Sequence, residues 1–259
     1  MRRTVPDVRI SRAAIWSRRL ALFGLILSGL AVMLARSRAL DAFGALAVLG
    51  VAETIALVAL GLAPLAGIVI WRIGLKGAGA AFLGFVVSAG TLAPLAYAAA
   101  LAVVLPAVND LATDLDNPPL FVSSSKAFAA RGGPAPGPMS AAAIAAEKEF
   151  YPNFKPVLVK TDSNAAFAAA LQAVKDLGWR VADALPPGDR GGGQAEIDAL
   201  DASPILHFQD EIVLRLRPSD GATIVDIRSA SGMGRHDFGA NAKRIAAFAA
   251  AMKEATPAR

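Results

Sequence analysis

The sequence predicts an N-terminal α-helical membrane region of three transmembrane helices, followed by a two-layer α+β domain with a mainly antiparallel sheet. Three observations predict this. Hydrophobic residues make up 55% of the 259-residue chain and charged residues only 18%, against roughly a quarter charged in ordinary soluble domains. Three long apolar runs fill the first 108 residues. Beyond them the hydrophobic period shortens to the two-residue alternation of strands, flanked by two helical stretches.

The apolar runs come first. Leu20–Ala35 carries no charge over 16 residues, about 24 Å of helix. Arg18, Arg19, Arg36 and Arg38 at its ends can snorkel to the headgroups, which gives a helix near 17–36. Ala42–Trp71 contains one charge, Glu53, and Ala78–Val108 contains none, interrupted only by Pro94 and Pro106. Both runs exceed the roughly 20 residues that a span needs, giving helices near 45–71 and 78–106. A second reading of the first run is a cleaved signal peptide, because Ser37-Arg38-Ala39 has small residues at a cleavage-like position. The 19-residue Arg-rich leader and the arginines crowding that position argue against it.

Charge orients these helices. Arg2, Arg3, Arg9, Arg12, Arg18, Arg19, Arg72 and Lys76 lie on one side of the membrane, and Arg36 and Arg38 on the other. The excess marks the cytoplasmic side. The expectation is a multi-pass protein of the inner (cytoplasmic) membrane, with a cytoplasmic N-terminus and residues 109–259 in the periplasm or outside the cell.

Composition excludes several chemistries. Residues 1–108 hold ten Lys/Arg against three Asp/Glu, whereas residues 109–259 hold sixteen against eighteen. The basic pI of about 9.8 therefore belongs to the membrane region, and nucleic acid is not an expected partner. With no cysteine and only His207 and His236, there is no disulfide framework, thiolate nucleophile or multi-histidine metal centre. The expected partners are the lipid bilayer and another envelope protein, and no cofactor is expected.

Within the membrane region, small residues recur four apart at Gly24 and Ser28 and again at Ala80, Gly84 and Ser88, the spacing that lets helix backbones approach closely. Glu53 is the acid inside an apolar run. If its span is Gly50–Ile70, Glu53 sits in the first turn at the water interface; the alternative is a role in proton or ion handling.

After the membrane, residues 109–155 read as an irregular acidic exit segment and a Pro/Gly/Ala linker. Asn117-Pro118-Pro119 cannot be helix or central strand, and Arg131–Pro138 is rich in Gly and Pro. A short helix over Ala141–Phe150 ends before Pro152. The α+β domain is then 156–259. Val157–Val159 reads as a strand, and Asp162 or Ser163 caps a helix that runs to Leu177, with Gly178 ending it. Strands follow at Trp179–Ala182, Gln194–Leu200 (Ala195, Ile197 and Ala199 inward), Glu211–Arg217 and Ala222–Ser229. In Glu211–Arg217 one face carries Ile212, Leu214 and Leu216, the other Val213, Arg215 and Arg217. A final helix spans Phe238–Ala255. The order β-α-β-β-β-β-α implies helices on one face of an antiparallel sheet.

The stretch Asp226-Ile-Arg-Ser-Ala-Ser-Gly-Met-Gly-Arg-His-Asp-Phe-Gly-Ala-Asn-Ala-Lys-Arg-Ile245 resembles an uncharacterised bacterial family, the domain of unknown function numbered 1499. Members close with a D-x-R-S-x-S strand, a Gly-containing turn and D-x-G-x-N-A-x-R-I on a helix. Asp116-Asn-Pro-Pro119, Tyr151-Pro152 and Asp210-Glu-Ile-Val213 extend the resemblance over about residues 109–255. Gly232 and His236 stand where such sequences usually carry Arg and Ser. The resemblance implies a membrane-attached protein and brings no established activity.

The signature residues are Arg228, Ser231, Gly234, Arg235, Asp237, Asn241 and Arg244. They admit two physical readings. In one, backbone amides at the helix start, with Arg228 and Arg235, hold an anion. In the other, Asp237 caps the helix and pairs with Arg228 or Arg235, while Asn241 and Arg244 tie the helix to the sheet. The glycine spacing, G-x-G-x-x-x-x-G, is not that of a dinucleotide site. Ser231, His236 and Asp237 are the residue types of nucleophilic chemistry, but adjacent His236 and Asp237 diverge and nothing activates Ser231; no catalytic residue is assigned. His207, beside Phe208, reads as a hydrogen-bonded packing residue. The expected function is a membrane-anchored extracytoplasmic binding or structural module. Its rivals are an enzyme acting on an anionic envelope metabolite and a transport component using Glu53.

Overall fold

A computed structural model describes residues 9–188 and 193–255; Arg2 and Arg3 of the leader lie outside the described residues. The chain forms two compact units, one reaching to Ala100 together with Ile205–His207, the other built from Leu101–Pro204 and from Phe208 onward.

The first unit holds three helices long and apolar enough to cross a membrane: α1 (Arg12–Arg36), α2 (Ala42–Ile73) and α3 (Ala78–Val104), whose last residues belong to the second unit. Their limits follow from local chemistry. α1 begins before its apolar run because the Ser11 hydroxyl accepts from Ala14 N–H, and Asp41 caps α2 on Gly44 N–H. α3 stops at Val104 rather than at Pro106, since proline restricts the residue before it.

Small residues form the helix contacts. Ala14, Ala66 and Ala81 make one buried cluster. A Cβ on Gly24 would sit 3.2 Å from the Ala52 carbonyl, and one on Gly84 2.2 Å from Ser17 Oγ and 2.9 Å from Arg18 N. These two glycines let backbones touch. Ser17 Oγ donates to the Ala59 carbonyl at 2.8 Å, a hydrogen bond between α1 and α2.

The second unit is an antiparallel sheet. Its strands are β1 (Asp110–Ala112), β2 (Val157–Val159), β3 (Arg180–Leu185), β4 (Ala195–Ala202), β5 (Gln209–Ser219) and β6 (Ala222–Ser231). The path runs β1-β6-β5-β4-β3, and β2 also pairs with β6. β1 and β2 thus line the same edge of β6, Leu111 opposite Ser229 and Leu158 opposite Ile224. The strand and helix order expected from Val157 onward is the one present, with each of β3 to β6 extending beyond its expected limits.

One face of the sheet is apolar. Ile197, Ile212, Leu214, Leu216, Val225 and Ile227 pack against α6 (Ser163–Asp176) and α7 (Ala240–Ala255), which contribute Ala166, Ala170, Val174, Ile245, Phe248 and Met252. Asp162 caps α6, accepting from Asn164 and Ala165. α7 starts at Ala240 rather than Phe238, because Phe238 and Gly239 have φ of 55° and 80°.

The other face is charged, and the segment between β1 and α5 (Ala141–Phe150) covers it. The sequence reading of this stretch as exit and linker needs correcting: besides the expected α5 it supplies β1 and α4 (Ser125–Arg131), and its chain buries Phe121 against Val213 and Ala230. Ser124 caps α4 on Ala127 N–H, and Gly132 ends it in the left-handed region.

Candidate functional site

β6 alternates, so its signature residues divide between the two faces. Ser229 and Ser231 face the helices. Ser229 Oγ donates to Asn241 Oδ1 at 2.7 Å, and Asn241 Nδ2 donates to Ser231 Oγ at 3.2 Å and to the Asn109 carbonyl at 3.0 Å. Arg244, one turn along α7, donates to Asn241 Oδ1 at 3.0 Å and to Asp201 at 2.6 Å, and pairs with Asp210. Burial raises the Asp210 carboxyl while Arg244 opposes the shift. Through this network α7 is bound to β1's approach, β4, β5 and β6 at once. Asn241 and Arg244 hold the helix on the sheet.

Arg228 lies on the opposite face, 1% exposed. Its guanidinium forks onto Asp110, Nε at 2.9 Å and Nη2 at 2.8 Å, and donates to the Pro119 carbonyl at 3.1 Å and the Gly137 carbonyl at 2.8 Å. It stands 4.8 Å over the Phe121 ring. Two further ion-pair groups share this face. Arg215 and Arg217 both bind Asp226 and Asp114 at 2.9–3.1 Å. Arg131 bridges Asp198 and Glu211. Burial pushes both of these carboxyls up, Asp198 to about 7, and the shared guanidinium opposes the shift.

The turn holds the rest of the signature. Gly234 takes φ 82°, and its carbonyl accepts from Asn109 Nδ2 at 2.5 Å. A Cβ at Gly232 would come 2.6 Å from the Gln209 carbonyl, so a side chain here requires the turn to shift. The Asp237 carboxylate accepts from Gly239 N–H and Asn241 N–H, each at 2.8 Å. It serves the start of α7 from three residues before Ala240 and pairs with neither arginine: Arg228 is on Asp110, and Arg235 is exposed and forms no ion pair among the described residues. Arg228 and Arg235 therefore do not converge on one ligand.

A model of the family described as "Protein of unknown function (DUF1499)" matches residues 110–252, more than half of the chain. The chain belongs to that family. No curated protein and no solved structure matches it. The DUF1499 match begins at Asp110, the partner of Arg228, and ends at Met252, the last buried residue of α7. Both faces of the sheet thus lie within it.

Sequence reasoning missed Asp110, Asp114, Arg131, Asp198 and Glu211. The signal for part of this layer was in the hairpin: the turn that pairs Ser219 with Ala222 also pairs Arg215 with Asp226 and Val213 with Arg228. Glu147 was missed as well. It is 1% exposed on α5, accepts from Ala112 N–H at 2.8 Å, and leaves Oε1 without a hydrogen bond. Burial, reinforced by Asp110 and opposed by the Ala112 amide, pushes its carboxyl up to about 8.

α2 begins at Ala42, and Glu53 lies about three turns along it. It is 9% exposed, and Ser28 Oγ of α1 donates to Oε1 at 3.4 Å while Oε2 has no partner. It faces the helix packing.

Proposed function

We propose that this DUF1499 protein is a membrane-anchored, extracytoplasmic module of the cell envelope that binds a partner or organises its surroundings, and is not an enzyme. The observation that carries this reading is the use of the signature residues. Arg228 is saturated by Asp110 and two carbonyls, Asn241 and Arg244 are committed to holding α7, and Asp237 is committed to backbone amides. The enzyme alternative needs Arg228 and Arg235 to meet on one substrate, and they lie apart.

The extracytoplasmic side is supported by the eight Lys/Arg on one side of the helices against two on the other. A reporter active only in the periplasm, fused after Arg259, is expected to be active; a well-expressed but inactive fusion overturns the orientation. For the binding role, photo-crosslinkers placed one at a time at exposed domain positions of the full-length protein in cells test the reading. Adducts of one mass confined to a contiguous patch support it, and their absence from every position refutes it.

The burial of Glu53 among the helices supports a second reading, in which the membrane region handles protons or cations. Reconstituted full-length protein should then show a proton or cation flux that Glu53→Gln abolishes; equal fluxes from the two proteins refute it.

A further inference from the structure

The turn between β6 and α7 packs on the chain where it leaves the third apolar helix. His236 Nε2 donates to the Leu105 carbonyl at 3.2 Å, Asp237 N–H donates to the Val108 carbonyl at 3.1 Å, and a Cβ at Gly239 would meet Leu105 Cδ1 at 3.0 Å. Leu105 is the first residue after α3. The last two residues of that helix, Val103 and Val104, are 87% and 79% exposed. Exposed valines that close an uncharged helix belong in hydrocarbon, so Leu105 marks the depth at which hydrocarbon gives way to headgroups. The turn bonded to Leu105 lies at that depth.

What the turn presents outward suits that place. Phe238 is exposed although it adopts φ 55°, a conformation that aromatic residues rarely take. It is held there by its own N–H, which donates to His236 Nδ1 at 2.9 Å, and by stacking of its ring on the imidazole at 4.6 Å. The imidazole is in turn fixed by Leu105, so the exposed ring is anchored to the helix exit by one relay. Arg235 is exposed and forms no ion pair among the described residues. The nearby Asp237 carboxylate is turned onto backbone amides. The turn's exposed side chains are therefore the Phe238 ring and the Arg235 guanidinium. An interfacial segment combines these groups, the ring entering the acyl boundary and the guanidinium meeting lipid phosphate in a forked hydrogen bond.

We propose that the 232–239 turn seats on the headgroup layer of the bilayer that α3 crosses, with Phe238 at the hydrocarbon boundary and Arg235 on lipid phosphate. The proposal rests on the membrane anchoring of the domain, and neither on which side of the membrane it occupies nor on its binding role. Such a seat would fix one end of the sheet against the membrane surface.

The absence of cysteine lets a single introduced cysteine be labelled uniquely. Spin labels at Phe238→Cys, at Leu95→Cys within α3, and at Asp220→Cys in the β5–β6 turn would be read in the full-length protein in nanodiscs of phosphatidylglycerol and phosphatidylcholine. Asp220 lies at the far end of β6, about 30 Å along the strand. Collisions with oxygen should exceed those with a water-soluble nickel chelate at 95 and 238, and the order should reverse at 220. A nickel-accessible label at 238 with a shielded one at 95 overturns the seat while leaving the anchor intact; a nickel-accessible label at 95 overturns both.

Because the label replaces Phe238, a second measurement uses the native turn. Photoactivatable phosphatidylglycerol should attach to the peptide containing 232–239, and Arg235→Glu should lose that attachment while keeping the thermal melt of the domain. Attachment that is absent from the native turn, or undiminished in Arg235→Glu, overturns the proposal.

Discussion

Removing the Arg228 side chain tests whether the signature is architectural. Arg228→Ala strands the Asp110 carboxylate and the Pro119 and Gly137 carbonyls, and empties the space over Phe121. Breaking a buried ion pair by deleting one partner costs about 3–5 kcal/mol. Asp110 is 16% exposed at its side chain, so water relieves part of the cost and the lower half of that range is expected. With a urea dependence of about 2 kcal/mol per molar for a domain of this size, the unfolding midpoint should fall by roughly 1.5–2 M. The full-length protein in nanodiscs, with Trp16→Phe and Trp71→Phe, lets Trp179 report alone from the core, where it stacks on Phe248 at 6.2 Å. Arg228→Lys should recover little, because an ammonium cannot fork onto Asp110 and reach two carbonyls together. Phosphate should not raise the midpoint of either protein. A loss below about 1 kcal/mol, within the range of an exposed pair, or a phosphate-dependent gain confined to the wild type, would refute the argument.

Three further outcomes follow from the geometry. Glu147, raised to about 8 from an ordinary 4.5, holds its proton in the folded state and loses it in the unfolded state between those values. Its stabilising contribution is therefore complete below about pH 4.5 and declines by up to about 1.4 kcal/mol per pH unit until about pH 8. Glu147→Gln should flatten the dependence of melting temperature on pH over that window and be the more stable protein at its upper end; parallel profiles would exclude the assignment. Asp237→Ala, which removes the acceptor of two amides, should cost about 1 kcal/mol in the same urea assay, and Asp237→Asn should cost less. In the membrane region, Gly84→Ala sets a methyl against Ser17 Oγ and Arg18 N. It should destabilise helix packing by about 1–3 kcal/mol, read as a lower melting temperature in detergent, and Ser17→Ala should not rescue it because the Arg18 backbone stays in place.

The parts of the fold that were legible in the sequence are those with a period. Ile212, Leu214 and Leu216 alternate along a strand long enough to read, and the spacing of Ala166, Ala170 and Val174 is helical. β1 escapes this reasoning because three residues carry no period; it exists because β6 offers Arg228 through Ala230 as an edge. α4 was hidden for a different reason. Ser124 and Gly132 are ordinary start and stop signals, but the surrounding Gly and Pro outweighed them. Asp237 was legible as a cap because capping is local. The partner of Arg228 was not, since Asp110 is 118 residues away and only the assembled edge brings it near.

The guanidinium bonds that hold the charged face also impose an order of events on synthesis. Apart from α4, residues 114–139 form no helix or strand. The carbonyls of Pro119, Gly137, Val122 and Asn117 accept instead from Arg228, Arg131 and Arg215, over separations of up to 109 residues. Much of the cover therefore leaves the ribosome well before β5 and β6, the strands that supply Arg215 and Arg228. At about 5–20 residues per second, a delay of about 100 residues is roughly 5–20 s, during which the carbonyls of Asn117, Pro119 and Gly137 wait for the arginines that bind them. Inserting residues into the connection between β3 and β4 would prolong that interval while leaving the pairings of both strands in place.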